Sequence, residues 1–338
     1  MAQNVGTQGQ SFFGYAGIAE ESGFGASTAP SVFSDIVSDG FSGDNGIQYL
    51  NTLRSRGRHE GTAGAYEDSG SVELAAGPEN GLGLLLKAAL GEATVTASDP
   101  DGDTTNEVGT HDYTTSSLLP SLSVELGVGD IQAVRHVGCG VGSLELSHSS
   151  EEYLMASFEM TGKQPELQNT MAAPTYSDLR PFIFHDGTLS IDGTDRSVDV
   201  QELTISVENN VEGQYRMDDR TIAKQTVGER EITAEATLDF SSADLWEKFL
   251  GETGATQPGD QLYEGALSAS WTSPETIEDT TTNYELGIDM PRVVIESREA
   301  SMNEDELIAE DVTFSALIDP GTGDDMTAQL VNGRTQAY

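Results

Sequence analysis

The residues best placed to do chemistry in this 338-residue chain are Asp99, Asp101 and Asp103, with Glu107 beyond them. Carboxylates at alternate positions are how a calcium loop gathers oxygen ligands. The pattern then breaks. The sixth position is Thr104, where the loop's turn needs glycine, and the twelfth is Thr110, where a bidentate glutamate is needed. The three aspartates are metal candidates on a broken motif, and an acidic solvated loop accounts for them equally. The histidines (His59, His111, His136, His148, His185) are scattered without H-x-x-x-H spacing, and His111–Asp112 has no nucleophile motif to serve. G-x-S-x-G, the phosphate loop and the dinucleotide fingerprint are all missing; Gly81 and Gly83 lack the third spaced glycine. Cys139, the one cysteine, sits between Gly138 and Gly140 and reads as a packed thiol, so no disulfide forms within the chain. The residues predict neither an enzyme nor a cofactor.

Charge is the dominant compositional fact. The chain holds 57 Asp+Glu against 16 Lys+Arg, a formal net charge of −41, and only Lys87, Lys163, Lys224 and Lys248 are lysines. Such a chain repels itself in dilute buffer and is screened in concentrated salt, where the Debye length falls to roughly 3 Å at 1 M. Two readings fit: adaptation to high salt, which the scarcity of lysine favours, or an acidic protein that binds cations or a basic partner. Binding of nucleic acid through its phosphates is excluded for want of a basic stripe. No apolar run approaches the ~18 residues of a membrane span, and Met1–Asn4 opens no signal peptide.

The elements that must carry these residues are mostly strands. Alternating apolar positions recur at Val72/Leu74/Ala76, Leu122/Val124/Leu126 and Leu154/Ala156/Phe158/Met160, then at Leu203/Ile205/Val207, Ile232/Ala234/Ala236/Leu238 and Val312/Phe314/Ala316. Helical patterns appear only at 79–90 and 241–250. Leu85, Leu86 and Leu90 share one face, as do Leu245, Trp246, Phe249 and Leu250, so both sets are expected to be flanking-helix core. Asn80 and Ser241 or Ser242 are expected N-caps, and Gly91 and Gly251 expected left-handed C-caps. Each helix follows a strand and precedes a Leu-Ser strand, Leu122–Ser123 or Leu267–Ser268, with residues 93–120 read as a longer loop in the first copy. This order predicts a mainly β chain of two tandem units with one helix each, residues 1–165 and 166–338, joined near Pro165 and Pro174. One large β-sandwich with two incidental helices is the alternative.

The run Gly14–Ala26 (GYAGIAEESGFGA), closing on Ala29–Pro30, resembles the start of tail tube proteins of tailed viruses. The order of a hairpin, a strand, a Leu-rich helix ending in Leu-Gly, and a Leu-Ser strand is similar to theirs. So are Pro181–Phe184 followed by Leu203–Asn210. The resemblance covers most of the chain. It implies β-sandwich or barrel units whose sheets join edge to edge into a closed ring barrel, with rings stacking into a hollow tube for the genome. Two units per chain would make a ring of three chains with pseudo-sixfold symmetry. Its implied partners are further copies of itself, a tape-measure protein and viral DNA in the lumen, and tail terminator and tail-tip proteins. Its implied place is the virion tail, assembled in the host cytoplasm, and with the charge it suggests a haloarchaeal host. A polyanion slides through an acidic or neutral bore and sticks to a basic one.

Within that frame, Arg54, Arg56 and Arg58 in a hairpin loop are either solvated or a contact to acidic loops of the adjacent ring. Phe12, Phe13 and Tyr15 are either core or an N-terminal arm, about residues 1–30, that docks on a neighbour. Other readings are a tail-tip or baseplate ring, a capsid decoration protein, a glycan-binding β-sandwich, or a hydrolase with an unrecognised site.

Overall fold

Alternation decides the architecture. The computed structural model describes residues 14–338 apart from Ser55, Asp101, residues 103–106, Asp130 and residues 302–307. Phe12, Phe13, Asp101 and Asp103 therefore lie outside the described residues. The first half runs β1 (Tyr15–Glu20), β2 (Val32–Ser34), β3 (Ile36–Asp39), β4 (Ser42–Asp44), β5 (Gln48–Leu50), β6 (Glu60–Thr62), β7 (Glu67–Ala75), α1 (Leu82–Leu90), β8 (Gly91–Ser98), β9 (Val108–Thr115), β10 (Leu122–Val128), β11 (Gln132–Ser149), β12 (Met155–Gly162) and β13 (Gln164–Gln168). The second runs β14 (Gly187–Ile191), β15 (Thr194–Asp195), β16 (Val200–Glu208), β17 (Glu212–Arg216), β18 (Asp219–Thr226), β19 (Glu231–Asp239), α2 (Asp244–Phe249), β20 (Glu264–Thr276), β21 (Asn283–Ser301), β22 (Ala309–Ala316) and β23 (Thr327–Asn332). The chain is mainly β, as its alternation predicts.

A main antiparallel sheet has the order β3/β4–β7–β12–β11–β16–β19–β22–β21. Two further sheets, β2–β1–β10–β11–β13 and β15–β14–β20–β21–β23–β9–β8, share one hydrophobic core with it. The long strands β11 and β21 belong to both layers. β11 turns the corner at Gly138, whose φ of 65° suits glycine and whose missing Cβ would stand 2.9 Å from Lys163 Cβ. Cys139 is fully buried there, and burial pushes its thiol well above the ordinary range.

Pairings in the first half recur in the second. Register shifts fall between Ile36 and Ser38 against β7 and between Val200 and Glu202 against β19. They fall between Leu122 and Val124 in β10 and between Gly265 and Leu267 in β20. They fall again between Val141 and Ser143 in β11 and between Ile295 and Ser297 in β21. The turns that follow β4 and β16 also agree. Gly46 and Asn210 have φ of 53° and 50°, and Gly64 N donates to Asn45 O as Gly228 N donates to Asn209 O, both at 3.1 Å. These pairings set Val72 against Ala236, an even displacement from the sequence match with Ile232, so the inward residues stay on the same face.

Several expectations are corrected. Residues 93–120 are largely a hairpin, β8–β9, whose β9 edge extends the covering sheet by pairing with β23. Its Thr- and Ser-rich strands show too few large apolar residues for the pattern to be seen. Asn80 is no N-cap; its side chain ties Gly77 N to Ala75 O, and Gly81 with φ of 90° begins α1. Ser241 bonds Asp199, and Ala243 begins α2, whose first amide only weakly meets Ser242 Oγ. Gly91 and Gly251 do take positive φ, 107° and 120°. Leu85, Leu86, Leu90 and Leu245 are buried, whereas Leu250 is half-buried and Trp246 and Phe249 are 47% and 37% exposed. Trp246 instead lays its ring 4.2 Å from the Arg298 guanidinium, covering the buried Arg298–Glu310 pair. Tyr15 is core: its hydroxyl donates to Glu125 at 2.6 Å, accepts from Ala172 N, and is pushed to about 12, chiefly by burial.

The Leu85→Ala variant is expected to lose about 2–5 kcal/mol, the usual cost of emptying a packed site. Trp246→Ala should lose distinctly less, since its ring is half in water. Denaturant unfolding in molar salt separates the two; equal losses would mean the burial pattern of the two helices is wrong.

Candidate functional site

Successive side chains on a strand point to opposite faces. In the main sheet one face carries Val72, Leu74, Phe158, Leu144, Leu146, Ile205, Val207, Ala234 and Phe314 into the core. The other face is therefore fixed by register, and it is almost wholly hydroxyl and carboxylate. One row crosses seven strands as Ser38, Glu73, Ser157, Glu145, Ser206, Thr233 and Ser315. A second reads Ser71, Glu159, Ser143, Glu208 and Glu231. A third reads Ser147, Thr204, Glu235, Thr313 and Ser297, and a fourth Ser149, Glu202, Thr237, Asp311 and Glu299. Among the described residues this face carries no Lys, Arg or aromatic side chain.

Cross-strand bonds hold the face in order. Ser38 Oγ donates to Glu73 at 2.7 Å, Thr237 Oγ1 to Asp311 at 2.7 Å and Ser315 Oγ to Glu296 at 2.6 Å, while Ser297 and Thr313 bond at 3.0 Å. Each hydroxyl lends a dipole to a neighbouring carboxylate, which lets charge of one sign stand in close rows. Some repulsion remains. Partial burial and the charges of Glu159, Glu231 and Glu145 raise the Glu208 carboxyl above its ordinary range.

Half of the 16 Lys and Arg side chains lie elsewhere, paired to the chain's own carboxylates. Arg135 meets Glu125 at 2.7 Å, Arg230 meets Asp325 at 2.8 Å, Arg292 meets Glu264 at 2.6 Å, and Lys248 is bonded to Asp192. Arg54, Arg56 and Arg58 differ. They are exposed on the β5–β6 hairpin beside exposed Tyr49, Leu50 and Leu53, and none has a carboxylate partner among the described residues. Arg58 stacks 3.8 Å from the Tyr49 ring centre.

Among the described residues the sequence candidates for chemistry are not brought together. Asp99 accepts from Gly102 N at 2.6 Å as an ordinary turn residue. Among the described residues no three His, Cys, Asp or Glu side chains gather to hold a metal ion. His111 is buried with Nε2 2.7 Å from Arg334 O, and burial lowers its pKa; Asp112 lies on the other face of β9 and accepts from Gln329. No helix among the described residues is long and apolar enough to cross a membrane.

A mainly β chain with an ordered acidic sheet face and three exposed arginines, Arg54, Arg56 and Arg58, on one hairpin fits the class of structural assembly proteins. The family model described as "Phage tail tube protein" matches residues 14–316, nearly the whole chain. The chain belongs to that family and is a structural component of a viral tail tube. No curated protein sequence matches it.

If like-charge repulsion on this face is real, Glu208→Gln stabilises the protein. A carboxyl whose pKa is raised on folding contributes stability below its unfolded pKa and loses it as pH rises through the folded value. The variant's gain in melting temperature should therefore be largest at neutral pH in the lowest salt that supports the fold. It should fade below the carboxylate range and in molar salt. A gain that is flat with pH and salt would remove repulsion as its cause.

Proposed function

We propose that this chain is the major subunit of the tail tube, that three chains close each ring, and that the acidic face of the main sheet lines the bore. The observation that carries the reading is that face. A surface of serine, threonine, aspartate and glutamate, without a cation among the described residues, repels a passing polyanion and offers it no counterion-release contact. The same face would enclose a tape-measure protein before DNA passes, and the two ends of the tube would meet terminator and tail-tip proteins.

Three chains per ring follow from reading the halves, 1–165 and 166–338, as two copies of one unit. Support comes from the three recurring register shifts and from the matched turns at Gly46 and Asn210. Each chain then supplies two of six quasi-equivalent barrel segments. Arg54, Arg56 and Arg58 act between rings, where acidic loops of the next ring supply the carboxylates that the described residues of their own chain do not. The net charge of −41 fits a virus of a salt-loving archaeon, since screening at molar salt is what allows such chains to stack.

Electron microscopy of the purified chain in molar salt, with averaging of end-on views, tests the reading. Hollow tubes built of three-chain rings are expected. Six chains per ring would keep the tube and remove the two-unit reading, and lasting monomers or unstacked single rings would point to a tip or decoration protein. Replacing Arg54, Arg56 and Arg58 together by alanine should leave rings intact and shorten or abolish stacks; full-length tubes from that variant would place ring-to-ring contact elsewhere.

A further inference from the structure

The junction between the two halves predicts the junction between chains. Inside the chain, the second part of β11 pairs on one edge with β12 and on the other with β16. Ser143 lies opposite Glu208, Leu144 opposite Val207, Glu145 opposite Ser206 and Leu146 opposite Ile205. The matching part of β21 pairs with β22, but its other edge meets β20 only at Val293 and Val294. Residues 297–301 are left without a strand there among the described residues. The match to β16 is β3 with β4, which pairs with β7 alone; Ser42, Gly43 and Asp44 are exposed and the bulged Val37 is 63% exposed. These are the two opposite edges of the main sheet. Joining them between copies is a head-to-tail contact, the kind that closes rings.

The three register shifts fix the correspondence residue by residue. Val141 and Ser143 match Ile295 and Ser297, and Glu202 matches Ser38. The rest of β16 follows, because Ser206, Val207 and Glu208 oppose Thr233, Ile232 and Glu231 as Ser42, Gly43 and Asp44 oppose Ser69, Asp68 and Glu67. We propose that β21 of one copy pairs antiparallel with β4 of the next in the β11–β16 register. Ser297 then stands opposite Asp44, Arg298 opposite Gly43, Glu299 opposite Ser42, and Ala300 opposite Phe41. The pairing rests on the tube reading above and names its partner strand and register.

Two further features fit this register. Face parity is kept: Ser297, Glu299, Ser42 and Asp44 all fall on the acidic face, so its rows run unbroken across the joint. Asn209, at the end of β16, donates its side-chain amide to Val141 O and to Ala89 O. Asn45 holds the matching place at the end of β4. Its Oδ1 accepts from Arg220, and its side-chain nitrogen has no acceptor among the described residues. In the proposed register that nitrogen faces Ile295 O of the next copy. Until they meet, the edges carry Asp44, Glu296 and Glu299, which in low salt discourage pairing, as charged edge residues do elsewhere.

The test is a double variant, Ser42→Cys with Glu299→Cys, oxidised after assembly in molar salt. Opposed strand positions bring Cα atoms within disulfide reach, and a two-residue displacement does not. Expected are reducible two-chain and three-chain species on a denaturing gel. Glu299→Cys with Gly40→Cys, and each single variant, should stay unlinked; Cys139 is buried and does not compete. Hydrogen exchange on the unaltered chain gives a second readout: amides in 38–44 and 297–301 should gain protection together when rings form. Rings that link only through the displaced pair, or that form without protecting both segments, overturn the pairing and leave the tube reading standing. A chain that never forms rings or links overturns both.

Discussion

Backbone pairing at sheet edges is the constraint on which the rest of this structure depends. A sheet strand with unpaired N–H and C=O groups recruits another strand, and a soluble protein must blunt, cover or pair each edge. Here the main sheet pairs β11 with β16 and thereby joins the two halves of the chain. That one junction sets which residues face the core and which face outward over every strand from β3 to β21. The acidic face exists because the register holds across it, and a slip of a single residue would turn Glu145 and Glu208 inward and Leu144 and Val207 outward.

Electrostatics is divided between the layers accordingly. Half of the cations neutralise the chain's own carboxylates away from the acidic face, some of them deeply: Arg298–Glu310 is buried on both sides and roofed by Trp246. Such buried pairs add little net stability, but removing one partner is costly, which fixes local geometry. The exposed sheet face keeps its negative charge without compensation. Hydroxyls from neighbouring strands space the carboxylates, and salt screens what remains. A surface of this kind binds poorly to nucleic acid.

How much of this was legible in the sequence follows from what each feature rests on. Alternating apolar residues such as Leu154/Ala156/Phe158 identify strands and their inward face without any knowledge of partners, and the Gly-closed runs at Gly91 and Gly251 mark both helix ends. The β8–β9 hairpin was hidden because Thr94, Thr96 and Thr110 give no strong apolar period. Trp246 and Phe249 looked like core because a helical face shows which residues align, not whether a neighbouring cation such as Arg298 draws one outward. Ile36–Val37 marks β3 in the sequence, ahead of β7 as Leu203–Val207 stands ahead of β19, whereas β4 is too short and polar to be found as a strand; only pairing with β7 reveals it. The acidic face needed register, and register needs long-range contacts. Asn45 and Asn209 each close a strand before a residue of positive φ, Gly46 and Asn210, a turn signal present in both halves of the sequence.

The central claim is that the main sheet turns its hydroxyl and carboxylate face toward the axis of a tube. A cryo-electron microscopy map of the assembled protein at side-chain resolution tests it directly. The row Ser38, Glu73, Ser157, Glu145, Ser206, Thr233 and Ser315 is expected to line the bore, with α1 and α2 on the outer side of the main sheet. A map with that row on the outer wall, or buried between rings, would contradict it.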